Sequence, residues 1–213
     1  MFDLSSKTVV NRRLYLTDLY KIIGKDKEIR MDAKNICYIM LTNVLSCDTM
    51  NYTSVGVVKE IYILEIKLNE KVIPEIFIKA LDKAINFHTL FVLRYKDEEL
   101  LYGCYKQITD KGVKLGKYYN SSWAPSVQNK ELPLNLTTLD EIYALLINEL
   151  IPLTAKENES TQELICRYEQ IQKLKKDIEK FQRQVDNERQ SKKRFELNDA
   201  LKELKKKLES LLN

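Results

Sequence analysis

Glu60-Ile-Tyr-Ile-Leu-Glu-Ile-Lys-Leu68 is followed by Pro74-Glu-Ile-Phe-Ile-Lys-Ala-Leu-Asp-Lys-Ala-Ile85, then by His88-Thr-Leu-Phe-Val-Leu-Arg-Tyr95 and Leu100-Leu-Tyr-Gly-Cys-Tyr-Lys106. The first segment is rich in β-branched and aromatic residues and sets Ile61, Ile63 and Leu64 among charges, which predicts a half-buried strand. In the second, Pro74 suits a first helical turn, and Ile76, Phe77, Ala80, Leu81, Ala84 and Ile85 recur at helical spacing on one face. The last two are strand-like runs joined by the polar turn Lys96-Asp-Glu-Glu99, a hairpin. Strand, helix, strand, strand sets the fold class as α+β. The expectation is a mixed or antiparallel sheet of about four to five strands with covering helices. Its predicted core holds Ile61, Ile63, Leu64, Leu90, Val92, Leu93 and Leu101, with the 74–85 helix across one face.

Working outward, residues 11–23 place Leu16, Leu19, Tyr20 and Ile23 on one side with Gly24 as a stop, predicting a short amphipathic helix. Residues 26–34 form another turn or two of helix. Ile36 to Leu45 suits a strand or a buried helix, and the turn-like Ser46-Cys-Asp48 favours the strand. Beyond the hairpin, Thr109-Asp-Lys-Gly112 reads as a turn and Val113 to Tyr119 as a strand. Pro125 and Pro133 bracket a loop, and Leu139 to Leu150 reads as a helix capped by Thr137 or Thr138 and ended by Pro152.

The last quarter is a different material. From Leu164 onward the chain has neither Gly nor Pro, and Ile171, Leu174, Ile178, Phe181 and Val185 step by three and four, as do Leu197, Leu201, Leu204, Leu208 and Leu211. The seam turns polar between Val185 and Phe195, and the spacing from Phe195 to Leu197 breaks its phase. Both features favour a coiled-coil-like C-terminal helical hairpin over one long helix that buries its stripe by dimerising. The organisation expected is an α+β body over 1–153, a linker over 154–160 and the hairpin over 161–213.

Composition bounds the function. The 213 residues with 44% hydrophobic content suffice for one core and an appendage. No run approaches the roughly 20 apolar residues a bilayer span needs, and Met1-Phe-Asp-Leu-Ser-Ser lacks the features of a secretory leader, so a cytoplasmic protein is expected. The four cysteines have no CxxC spacing and there is a single histidine, so a zinc site lacks ligands and Cys37 and Cys104 read as small buried hydrophobes. Five glycines form no nucleotide-cradling loop. Residues 1–159 hold 21 basic and 21 acidic side chains whereas 160–213 hold 14 and 10, so the whole excess of +4 lies in the tail.

Four groups of residues bear on chemistry. Glu65-Ile-Lys67 has the glutamate-x-lysine spacing of restriction-endonuclease-like nucleases, in which two side chains on one strand face hold a metal and polarise water; Asp48 is the nearest second carboxylate. Magnesium would be the cofactor of that reading alone, and no other cofactor is expected. A solvated strand face produces the same tripeptide readily. His88, a general base by type, has no nucleophile partner visible in sequence and reads better as a structural histidine. For nucleic acid, Lys106, Lys111, Lys114 and Lys117 interleave with Tyr102, Tyr105, Tyr118, Tyr119 and Trp123. The alternative there is a sheet with aromatics inside and lysines outside. Arg183, Arg189, Lys192, Lys193 and Arg194 would gather near a hairpin tip, as phosphate contacts or as solvated helix positions.

Val10-Asn-Arg, Leu45-Ser-Cys-Asp-Thr-Met-Asn51, Phe87-His-Thr-Leu-Phe-Val-Leu, Lys117-Tyr-Tyr-Asn-Ser-Ser-Trp123 and Arg194-Phe-Glu-Leu-Asn-Asp-Ala-Leu201 occur in this order. Together they resemble a bacterial domain-of-unknown-function family, number 4391, over nearly the whole chain. Where that family tends to have Leu-Ser-Pro, this chain has Leu45-Ser-Cys47, which touches turn rigidity and not chemistry. The resemblance carries no catalytic set. It implies encoding beside DNA methyltransferase and helicase genes of restriction-modification or phage-defence type, hence a protein partner of helicase or methyltransferase type. The reading that follows is a non-catalytic accessory protein that binds this partner, with a hairpin that extends the contact or reaches nucleic acid, and with the metal-dependent nuclease as the alternative.

Overall fold

The computed structural model describes residues 2–52, 56–126, 130–131 and 136–212, and the chain divides into two compact units, Met1–Pro152 and Leu153–Asn213. Pro133, one end of the expected loop, lies outside the described residues.

The first unit begins with β1 (Phe2–Asp3), β2 (Val9–Leu14), α1 (Leu16–Ile23), α2 (Lys27–Asp32), β3 (Ile36–Ser46) and the single-turn α3 (Cys47–Met50). Then come β4 (Glu60–Leu68), α4 (Glu75–Ala84), β5 (His88–Tyr95), β6 (Glu98–Thr109) and β7 (Gly112–Asn120). The pieces β8 (Ala124–Pro125) and β9 (Lys130–Glu131) and the helix α5 (Leu139–Asn148) complete it. The main sheet runs β2-β3-β4-β5-β6-β7, with β8 also on β6. Its β4 and β5 are parallel, joined by α4 as a crossover, and every other adjacent pair in it is antiparallel.

The mixed sheet agrees with expectation, but it has seven strands rather than four or five. One of the additions is β2, which occupies the first residues of the expected 11–23 helix. Asn11-Arg-Arg-Leu14 suits either state by pattern, and pairing with β3 decides for strand up to Leu14 before the helix starts at Leu16. Asn11 adopts a left-handed φ of 48°, and the register slips between Val9 and Arg12, so this outermost strand carries a bulge.

Alternation along β4 divides the sheet's two faces. Leu64, Ile66 and Leu68 meet Ile39, Phe91, Leu93, Leu100 and Tyr102, and α4 adds Phe77, Ile78 and Leu81 to this core, with α1 and α2 contributing Leu19 and Ile29. Ile76, expected on the inner face of α4, is 46% exposed; Ile78 and Asp82 point inward instead. The opposite face carries Ile61, Ile63, Glu65 and Lys67, and α5 packs on β4 and β6. Six of the seven expected core residues are buried, while Leu101 stays half-buried. Helix α5 starts where the sequence placed it. The Thr138 hydroxyl accepts from Glu141 N–H at 3.2 Å and Glu141 Oε2 accepts from Thr138 N–H at 3.1 Å, a capping box.

The second unit is a helical pair, α6 (Thr161–Asn187) and α7 (Ser191–Leu212), joined by Glu188, Arg189 and Gln190. A second capping box, Ser160 with Glu163, starts α6. Arg167 near the start of α6 donates through Nη1 to the Leu211 carbonyl near the end of α7 at 3.0 Å, so the helices are antiparallel. Its other nitrogens hold Glu159 at 2.6 and 2.8 Å and the Thr154 carbonyl at 2.7 Å. One buried guanidinium thus ties the lead-in segment to both helices. The hairpin, not the single long helix, is what the chain forms. Its seam is buried at Ile171, Leu174, Val185 and Leu201 but only half-buried at Ile178, Phe181, Leu197, Leu204, Leu208 and Leu211, because two helices cannot surround each other's stripes.

Candidate functional site

Glu65 and Lys67 stand on the same face of the central strand β4, as the spacing requires. The neighbouring strands then decide what the pair can do. Glu65 Oε1 accepts from the Tyr38 hydroxyl of β3 at 2.8 Å, and Oε2 meets Arg94 Nε of β5 at 2.8 Å. Arg94 also lies 3.8 Å from Glu99 of β6, and Lys67 Nζ donates to the Lys96 carbonyl at 2.8 Å. Both oxygens of Glu65 are therefore engaged, and a guanidinium occupies the side from which a second carboxylate would have to share a metal. Burial, then the Glu65 carboxylate beside it, pushes the Tyr38 hydroxyl upward, keeping it a proton donor. Asp48 does not join them. It sits in α3 beyond Ser46, which pairs with Glu60, whereas Met40 pairs with Glu65. That offset is roughly 16 Å of strand at about 3.3 Å per residue. Among the described residues no group of three or more His, Cys, Asp and Glu side chains is placed to hold a metal ion.

The most concentrated chemistry is in a cluster that the sequence did not flag. Asp82, on the inward face of α4, is 1% exposed, and Lys106 of β6, expected in a solvent-facing basic patch, is 2% exposed. Lys106 Nζ donates to Asp82 Oδ1 at 2.8 Å, to the Asp82 carbonyl at 2.7 Å and to the Ile85 carbonyl at 2.6 Å. All three ammonium hydrogens are used, two of them on carbonyls at the C-terminal end of α4, where a cation complements the helix dipole. Asp82 also accepts from Thr89 Oγ1, from the Tyr118 hydroxyl at 2.5 Å and from Cys104 Sγ at 3.6 Å. Burial lowers the affinity of Lys106 for its proton and Asp82 opposes this, while burial and then Asp82 push the Cys104 thiol up to about 12. Asp82, Lys106, Thr89 and Cys104 are buried and Tyr118 half-buried, and both charges are satisfied by hydrogen bonds, which is the arrangement of a structural lock.

Tyr118 is thereby a correction to the expected base-stacking set. Its hydroxyl is bound to Asp82, and its ring stacks on Tyr102 at 5.0 Å. Trp123 packs against the core, with Lys71 5.2 Å over its ring. Lys114 and Lys117 remain exposed on β7, with Lys117 over Tyr119 at 5.6 Å. His88 is buried and edge-on to Tyr143 at 4.4 Å. Its proton affinity is lowered first by burial and then by the Lys106 charge, so it is a neutral packing group at pH 7. Cys37, expected to be buried, is exposed, whereas Cys104 is buried.

Around the turn between α6 and α7 the picture is different. Arg183, Arg189, Lys192, Lys193 and Arg194 are all exposed. Among the described residues none of the five forms an ion pair. Arg183 and Lys193 line one groove between the helices together with Lys176, Lys180, Glu179 and Glu188. The two acidic side chains closest to the turn, Asp186 and Glu188, accept from Gln182 Nε2 and from the Gln190 backbone N–H. Exposed cations without an ion pair around a short turn leave their charge open to an anionic partner.

Among the described residues no helix is long and apolar enough to cross a membrane. No curated protein and no solved structure matches the chain. The family model described as Domain of unknown function (DUF4391) matches residues 2–208, nearly all of both units, and the chain belongs to that family.

Proposed function

We propose that this chain is a non-catalytic accessory protein of a bacterial DNA-processing or phage-defence system, which binds a larger protein partner and contacts nucleic-acid phosphates through the tip of its hairpin. The observation that carries the reading is the set of five exposed cations, Arg183, Arg189, Lys192, Lys193 and Arg194, flanking one short turn, none of them in an ion pair among the described residues. The partner class, helicase or methyltransferase, is the one implied by the resemblance read from the sequence. The engagement of both Glu65 oxygens by Tyr38 and Arg94 weighs against the nuclease alternative.

The test is fluorescence anisotropy with a short DNA duplex at several salt concentrations. Replacing Arg189, Lys192, Lys193 and Arg194 with Ser should weaken binding and flatten the log–log salt dependence by about 0.9 for each phosphate that is no longer neutralised. An unchanged affinity and slope would remove the tip from the interface. The same duplex incubated with Mg²⁺ or Mn²⁺ should be recovered uncut. Cleavage that disappears in Glu65→Ala would replace this reading with the nuclease one.

A further inference from the structure

The side of the hairpin lined by Phe181 and Leu204 forms a second groove, and its apolar residues are only half-buried. What rims it is arranged by sign. The helices are antiparallel, with three residues in the turn from Asn187 to Ser191, so positions can be set level at equal rise from that turn. On this side Asp177 and Glu203 lie toward the tip from Leu204, whereas Lys206 and Lys207 lie toward the base. Glu203 and Lys206 meet within the chain only as an exposed pair at 3.4 Å, with side chains 76% and 73% open to solvent, an ion pair that costs little to exchange.

From this pattern we infer that the Phe181/Leu204 face binds a second copy of the chain, hairpin against hairpin in antiparallel fashion, about a two-fold axis close to Leu204. A two-fold axis at that point places the acidic half of each face against the basic half of the other, while Leu204 meets Leu204 and each Phe181 covers the flank of the partner helix pair. The surface is complementary to itself, as an isologous interface requires. Four helices then enclose the seam that two leave half open. A parallel pairing would set Asp177 and Glu203 against their own copies, and the lysines against lysines. The inference is independent of the proposed function: it rests on the groove lined by Phe181 and Leu204, whereas Arg183 and Lys193 of the tip line a different one.

Sedimentation velocity of the full chain across roughly 1–100 µM tests it. The expected result is a monomer–dimer equilibrium, and Leu204→Asp should weaken it by more than about tenfold. Two further variants test the charge pattern: Lys206→Glu with Lys207→Glu, and Asp177→Lys with Glu203→Lys. Each should be monomeric alone, with its helical circular dichroism retained, and mixing the two should restore a dimer of the wild-type sedimentation coefficient. A wild-type monomer throughout the range overturns the inference. So does a dimer that Leu204→Asp leaves intact, or a mixture of the reversed variants that stays monomeric.

Discussion

Lys106→Met is the substitution that probes the first unit most directly. Methionine keeps much of the aliphatic stem, so little cavity forms, but three hydrogen bonds disappear at once: those to Asp82 Oδ1 and to the carbonyls of Asp82 and Ile85. Asp82 keeps its donors from Thr89, Tyr118 and Cys104, yet its charge stays buried without its counter-ion. Breaking a fully buried pair from one side costs about 3–5 kcal/mol. At about 2–4 °C per kcal/mol for a domain of 150–250 residues, Tm falls by roughly 6–20 °C. The readout is urea and thermal unfolding followed by the fluorescence of Trp123, the single tryptophan, which packs against this unit's core. Asp82→Leu with Lys106→Met should recover part of the deficit, since a pair replaced by apolar groups leaves no orphan charge. A single variant within about 0.5 kcal/mol of wild type, or a double variant as costly as the sum of the singles, would refute the account of this cluster as a coupled lock.

Other expectations follow from equally local observations. Salt-bridging to Arg167 holds the Glu159 carboxyl down to about 2, from 4.5. A depressed carboxyl contributes stability above its unfolded value that is lost as pH falls. Melts of the full chain followed by circular dichroism should therefore lose a component between pH 4.5 and about 2, and Glu159→Gln should lack that component. A Cβ added at Gly116 would lie 2.7 Å from the backbone oxygen of Tyr105, at the register slip between Cys104 and Lys106. Gly116→Ala should accordingly cost about 1–3 kcal/mol in the same urea assay, and a neutral result would show that β7 can shift freely.

The strand-helix-strand centre was legible because β4 and β5 are runs rich in β-branched and aromatic residues and α4 between them repeats most of its apolar positions at helical spacing. Where two periods fit the same residues, as at Asn11 to Leu14, only the partner strand could choose, and that partner starts at Ile36. The Asp82–Lys106 lock was illegible for a different reason. A charged residue within an amphipathic helix reads as solvent-facing until its counter-ion is known, and that ion sits two elements later in a run that itself reads as a basic patch. Arg94 hid similarly: Glu65-x-Lys67 was visible as a local spacing, while the guanidinium that binds Glu65 arrives through the β4–β5 parallel register. The hairpin was legible from its apolar steps and its polar break, both short-range signals, but those same signals also fitted a phase slip in one long helix, and only the packing of α6 on α7 decides between them.

The bulge at Asn11 bears on how copies of this chain can meet. A straight outermost strand is a template on which another molecule's backbone can add, and repeated addition leads to fibres. In β2 the left-handed Asn11 breaks the row of outward amide and carbonyl groups after Val9 and Val10, and Arg12 and Arg13 follow as exposed charges. Growth by strand addition along that margin is therefore penalised twice, by mismatched hydrogen bonds and by like-charge repulsion. Valines 49% and 45% exposed can then sit at the margin of the sheet without seeding aggregation.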